Sequence, residues 1–195
     1  TTDWGDYGHI NHPDFGIPGR IYGAAFSWNR NIPDFEEINR KISRVEFGDV
    51  SEKLVSVMAE IPSCQVFNWE EAVRYIECKT PAPTADELAG IKEALQNLAD
   101  TLRHMTPGLS GQTLSLVHAC LVAIRGIELF QKIGVALSAR DYHTEPVLDV
   151  EGGVLAQELE EWFMYYKEVW RSVSRESELY QLQDVIFCYA DLLRD

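Results

Sequence analysis

From Thr84 to the C-terminus the chain keeps repeating apolar residues at steps of three and four, a spacing that admits little besides packed helices. Leu88, Ile91, Leu95, Leu98 and Leu102 form the first seam. Leu155, Leu159, Trp162, Tyr166, Val169 and Val173 form a second, and Leu179, Leu182, Ile186, Tyr189 and Leu193 a third. Side chains so spaced stand over one another on one side of an α-helix. Such a stripe leaves water only against a neighbouring helix, so the seams predict an all-α fold, an antiparallel helical bundle. Between the first two seams, the stretch from about Ser110 to Ser138 is apolar over a wide arc (Leu114, Val117, Leu121, Ile124, Ile127), which predicts a central helix. Gly126 and Gly134 are the places where that helix would break. Residues 139–153 read as a polar loop ending in Gly152-Gly153.

Shorter helices precede these. Asp34-x-x-Glu37 is a capping-box variant that starts one, with Phe35, Ile38, Ile42 and Val45 on its apolar side. Gly48-Asp49 ends it, and Leu54, Val55, Met58 and Ile61 mark the next. Asn68-x-x-Glu71 caps another with Ala72, Val73 and Ile76 inward, and Thr80 to Pro83 is a proline-bearing linker. Thr84-x-x-Glu87 caps the first long helix, and Pro107-Gly108 turns the chain after it.

The charge balance narrows the partners. Thirty-one acidic residues stand against 17 basic ones, a net charge of −14. That excludes non-specific binding to nucleic acid or an anionic membrane, both of which draw on clustered Lys and Arg. Cys64, Cys78, Cys120 and Cys188 show no C-x-x-C pairing, so they read as small buried apolar residues of a reducing compartment, the cytoplasm. No apolar run reads as long enough to span a bilayer, and no signal peptide is apparent. The chain starts at Thr1 inside a site-like motif, so the expectation is a piece cut from a longer protein.

That motif is Asp3-Trp4-Gly5-Asp6-Tyr7-Gly8-His9, and residues 1–16 read as a strand end followed by a loop. Ile17-Pro18 then opens a helix, since proline suits a first turn that needs no N–H. Ile21, Ala24, Ala25 and Trp28 fall on one face, expected to be buried, with Gly19 and Gly23 allowing close packing. A ring that stacks on a sugar's apolar face beside a carboxylate that accepts hydroxyl protons suits a carbohydrate.

Trp-Gly-Asp, followed after a loop by Pro-Gly-x-x-Tyr-Gly-Ala-Ala-x-x-Trp, resembles the last strand and last helix of glycoside hydrolase family 20. Those enzymes are β-N-acetylhexosaminidases on a (β/α)8 barrel, and a bacterial branch carries a helical domain after it. The resemblance covers about residues 2–29 and implies two parts. Residues 1–32 would be the end of the barrel (strand, loop and helix), and residues 33–195 a C-terminal helical domain. It implies that Trp4 lines the subsite for the terminal N-acetyl sugar. Asp6, where the family usually has Glu, would accept hydrogen bonds from the sugar's O4 and O6 hydroxyls. Trp28 would be a packing residue, and Tyr7, His9 and His12 have no family counterpart. The family's catalytic Asp-Glu pair is absent, as is most of a barrel that needs about 250 residues. In this family the substrate's acetamido oxygen attacks the anomeric carbon, an exception to the two-carboxylate scheme. The intact protein would therefore remove terminal β-linked N-acetylglucosamine or N-acetylgalactosamine, while this chain has no catalytic residue and would be inactive. No cofactor and no metal are implied. The helical domain would buttress the barrel or join two copies. The rival expectation is a non-catalytic helical module for protein–protein interaction or dimerisation.

Other patterns favour plainer roles. His9-x-x-His12 with Asp14 has two ligand types but no third at useful spacing, so a solvated polar loop is preferred to a metal site. His118, in an apolar helix without an acidic neighbour, reads as a core or edge histidine, and His104 and His143 as surface residues. Trp162, Tyr165, Tyr166 and Trp170 make an aromatic stripe at helical spacing, expected as bundle core with one exposed flank. Ser27, Ser110 and Ser115 lack the surroundings of a nucleophile.

Overall fold

The computed structural model describes residues 12–31, 34–64, 85–141, 150–176 and 179–195. Among these, every regular element is helical. They form α1 (Ile17–Trp28), α2 (Phe35–Val45), α3 (Leu54–Glu60), α4 (Ala85–Met105), α5 (Gly111–Asp141), α6 (Gly152–Val173) and α7 (Leu179–Arg194). Short 3-10 turns at Pro13–Gly16, Ile61–Cys64 and Thr106–Gly108 connect or extend them. The all-α bundle expected from the seams is the observed architecture. The proposed barrel strand, residues 2–8, and the Asn68 cap lie outside the described residues.

α5 organises the rest. Its 31 residues reach about 46 Å at 1.5 Å each, long enough to serve two cores in succession. Leu116, Val117, Cys120, Ile124 and Ile127 join α2, α3 and α4 in one cluster. Leu129, Phe130, Ile133 and Leu137 join α6 and α7 in the other. A helix with partners on successive sides must be apolar nearly all round, which explains its wide arc. It also makes α5 long and apolar enough to cross a membrane by composition, contrary to the sequence expectation. Half of that apolar window, however, is buried inside the protein. Neither Gly126 nor Gly134 interrupts it. The helix runs on to Asp141, and α6 begins at Gly152, so both helices take residues that the sequence assigned to a loop.

The direction of the last three helices follows from their contacts. Arg125 of α5 meets Glu158 of α6 at 2.6 Å, and Trp162 Nε1 donates to the Val122 carbonyl at 2.8 Å. As one number rises the other falls, so α5 and α6 are antiparallel. α6 and α7 are too: a Cβ on Gly152 would lie 2.1 Å from the Leu193 carbonyl oxygen, while Phe163 packs edge-on against Phe187. All five residues of the third seam are buried, as are Leu155, Leu159 and Trp162 of the second.

Two faces differ from expectation. On α2 the buried positions are Asn39, Ile42 and Ser43, whereas Phe35 is 54% and Val45 81% exposed. Polar contacts set this rotation. Ser43 Oγ accepts the Val55 N–H at 3.0 Å, and Asn39 Nδ2 donates to Ser56 Oγ at 3.4 Å, so α2 lies polar-side down on α3. Asp34 does cap α2, accepting from Glu36 N at 3.0 Å, but Glu37 pairs with Lys41. On α1, Pro18 alone is buried, Ala24 is exposed, and Trp28 is 89% exposed. Phe15, Ile17, Ile21 and Tyr22 reach the first cluster, and α1 turns its other side away from it.

Candidate functional site

Trp4 and Asp6, the residues singled out for sugar binding, lie outside the described residues, as do Tyr7 and His9. His12 and Asp14 are described, and they form a local cap. His12 stands before the Pro13–Gly16 turn, and its Nδ1 accepts the Asp14 N–H at 3.2 Å. The Asp14 carboxylate in turn accepts from Gln112 Nε2 at 2.8 Å, which ties the N-terminal segment to the start of α5. An Nδ1 that accepts leaves the proton of a neutral imidazole on Nε2. His12 is only 6% exposed, and that Nε2 has no hydrogen-bond partner. Burial lowers the His12 pKa below the ordinary histidine value, against the pull of the nearby Asp14 charge. The ring is thus a neutral donor at pH 7.

His12 borders a cavity of about 610 Å³ between the N-terminal segment, α3, α5 and α6. Phe15, Pro18 and Tyr22 form one wall, Val55, Met58 and Ile61 another. α5 contributes Ala119, Val122, Ala123 and Gly126, and α6 contributes Trp162, Tyr166 and Trp170. These rings are the aromatic stripe of the sequence. Trp162 is buried at the bundle seam, Tyr165 is 66% exposed on the opposite flank, and Tyr166 and Trp170 face the cavity stacked at 6.1 Å. Burial raises the Tyr166 pKa well above that of an ordinary phenol, so it stays protonated.

The polar groups of this wall are mostly engaged. Trp170 Nε1 donates to the Arg175 carbonyl at 2.9 Å, Trp162 Nε1 to Val122, and the Tyr22 hydroxyl to Asn39. Desolvation, followed by the Glu36 charge, raises the Tyr22 pKa. No Lys, Arg, Asp or Glu is among the described lining residues. A size and lining of this kind suit a small molecule with an apolar body.

Comparison with protein-family models, with curated proteins and with solved structures finds no match for this chain. The site is therefore read from its own chemistry. Asp49, Asp100, Glu128 and Glu160 all have pKa values below the ordinary carboxylate range. At Asp49 and Glu128 burial works the other way, but hydrogen bonds outweigh it. These come from Ser51 and the Leu54, Lys53 and Ser51 N–H groups in one case, and from Lys132 and Arg125 in the other. Such carboxylates are poor proton donors at neutral pH. No group of three His, Cys, Asp or Glu side chains gathers among the described residues. Cys64 and Cys120 are buried, and burial pushes the Cys120 thiol up to about 12, which makes it an inert core residue. Cys188 is half-buried, and Cys78 lies outside the described residues. His118 sits exposed on α5, and His104 caps its own helix through the Asp100 carbonyl at 2.6 Å.

Sequence reasoning brought Trp162, Tyr166 and Trp170 to the right helix but did not place them opposite His12. Gly126 was the available signal. A Cβ there would lie 2.6 Å from Trp162 Cζ2, so only glycine lets the indole come this close to α5.

Proposed function

We propose that this chain is the C-terminal part of a glycoside hydrolase that releases terminal β-linked N-acetylhexosamine by substrate-assisted, retaining hydrolysis. In this reading the chain alone is inactive. α1 is the last helix of a (β/α)8 barrel, and α2 to α7 belong to the helical domain that follows it. The observation that carries the reading is α1 itself. Its twelve residues, IPGRIYGAAFSW, are mostly apolar, yet Phe26 is 36% and Trp28 89% exposed. An apolar helix of this kind normally buries most of its surface. Among the described residues the first cluster takes its Ile17–Ile21–Tyr22 side and Phe35 covers part of Phe26, and the remainder of a barrel would cover Trp28 and the rest of Phe26. The resemblance asks for a packing Trp at this helix end, and Trp28 occupies that position. Trp4 then walls the sugar subsite and Asp6 accepts from the O4 and O6 hydroxyls.

A second reading has one observation of its own. Phe26 packs on Phe35 at 4.9 Å, and Trp28 and Phe35 are exposed beside it. A partner protein or a second copy would use these rings, as in a helical interaction module. Enzymology separates the two. The protein extended upstream by about one barrel length, roughly 250 residues, is given a chromogenic β-N-acetylglucosaminide and its galactosaminide epimer. Turnover by the extended protein but not by this chain, weakened by Trp4→Ala and Asp6→Ala, supports the glycosidase. An inactive extended protein without an upstream Asp-Glu pair refutes it and leaves the interaction module.

A further inference from the structure

We propose that the cavity between the N-terminal segment, α3, α5 and α6 binds an uncharged, mostly apolar small molecule. The volume, about 610 Å³, falls inside the range of roughly 300 to 1,000 Å³ common for small-molecule sites. It is far larger than the packing gaps of an ordinary core. Its rings come from three separate parts of the chain: Phe15 and Tyr22, Phe130, and the α6 stack of Tyr166 and Trp170.

The lining decides the ligand's chemistry. His12 borders the cavity, but its unpartnered Nε2 is fully buried and does not open onto it. The indole N–H groups of Trp162 and Trp170 are already committed to backbone carbonyls. An anion is disfavoured there, because the Asp14 carboxylate lies 4.0 Å from His12 Nδ1 and no Lys or Arg is among the described lining residues. A sugar is disfavoured as well, since its several hydroxyls would meet an apolar wall with few open partners. This site is independent of the glycosidase reading, which concerns Trp4 and Asp6.

The probe is prodan, an uncharged naphthalene ketone whose emission shifts to the blue in a dry site. Titrated into the whole chain, it is expected to bind saturably, one molecule per chain, with energy transfer from tryptophan. Ala123→Phe on α5, or Met58→Trp on the facing α3 wall, fills the space and is expected to abolish binding while circular dichroism remains native. Non-saturable partitioning into the wild-type chain overturns the proposal. So does undiminished binding by whichever filling variant folds.

Discussion

Gly126→Ala sets two well-known effects against each other at one position. Alanine in a helix interior is favoured over glycine by about 1 kcal/mol, so on propensity alone the variant is more stable. The neighbourhood reverses this. The new Cβ would lie 2.6 Å from Trp162 Cζ2, 2.9 Å from Cε2 and 3.2 Å from Nε1. These are atoms of a rigid ring, 9% exposed, whose N–H is bonded to Val122 at 2.8 Å. The indole has to move bodily. Overpacking of this kind is unfavourable by about 1 to 3 kcal/mol, and the lost hydrogen bond by about 1 kcal/mol. Setting the helix gain against these leaves a net destabilisation of about 1 to 3 kcal/mol.

Urea denaturation followed by far-ultraviolet circular dichroism measures it. Gly90→Ala is the control: Gly90 is exposed within α4, and a Cβ added there would meet nothing within 4 Å, so the same substitution is expected to stabilise by about 0.5 to 1 kcal/mol. Opposite signs at the two glycines are the expected result. The double variant Gly126→Ala/Trp162→Phe should be less destabilised than the sum of its two singles, because the smaller ring admits the methyl group. A Gly126→Ala chain that gains stability, as Gly90→Ala does, refutes the claim that Trp162 rests on α5.

Four further outcomes follow from particular contacts. Asp49, 2% exposed, accepts from Ser51, Lys53 and Leu54 and has a lowered pKa, so its contribution is full above the ordinary Asp pKa and is lost as pH falls through the lower folded value. Asp49→Ala is expected to destabilise by about 2 kcal/mol at pH 7 and to flatten the fall of denaturation midpoints between neutral and acid pH. Trp28→Ser should change the stability of this chain by less than about 0.5 kcal/mol, but should destabilise the upstream-extended protein by about 3 kcal/mol or more if a barrel covers it; thermal melts of both check it. Arg125→Met should matter by less than about 1 kcal/mol despite contacts to Glu128 and Glu158, because its side chain is 42% exposed and solvent screens the pairs. Leu102→Ala and Leu159→Ala, both at 0% exposure in different clusters, should each destabilise by about 2 to 5 kcal/mol. Both should retain a single unfolding transition, since α5 runs through both cores; two resolved transitions would contradict that coupling.

What the sequence conveyed depended on whether a residue's environment is set by its own helix or by its neighbours. Leu179, Leu182, Ile186, Tyr189 and Leu193 are all buried, as a 3-4 stripe requires, because a stripe that wide has one way to leave water. α2 passes the same test only in part. Of its stripe, Ile42 is buried and Ile38 packs on the first cluster, but Phe35 and Val45 are exposed, because Asn39 and Ser43 point inward to partners on α1 and α3 that no local pattern could announce. Trp28 fails it, and for a reason that bears on function. Helical periodicity says which residues share a face; it does not say which body covers that face. An apolar face left open by the bundle is where the sequence pattern and the packing disagree, and such disagreements gather at sites of function. The cavity is the same lesson from inside. Trp162, Tyr166 and Trp170 satisfy the periodicity of a core seam, and nothing along α6 distinguishes them from one. Only the approach of Phe15 and Tyr22, more than a hundred residues earlier in the chain, turns part of that seam into one wall of a cavity.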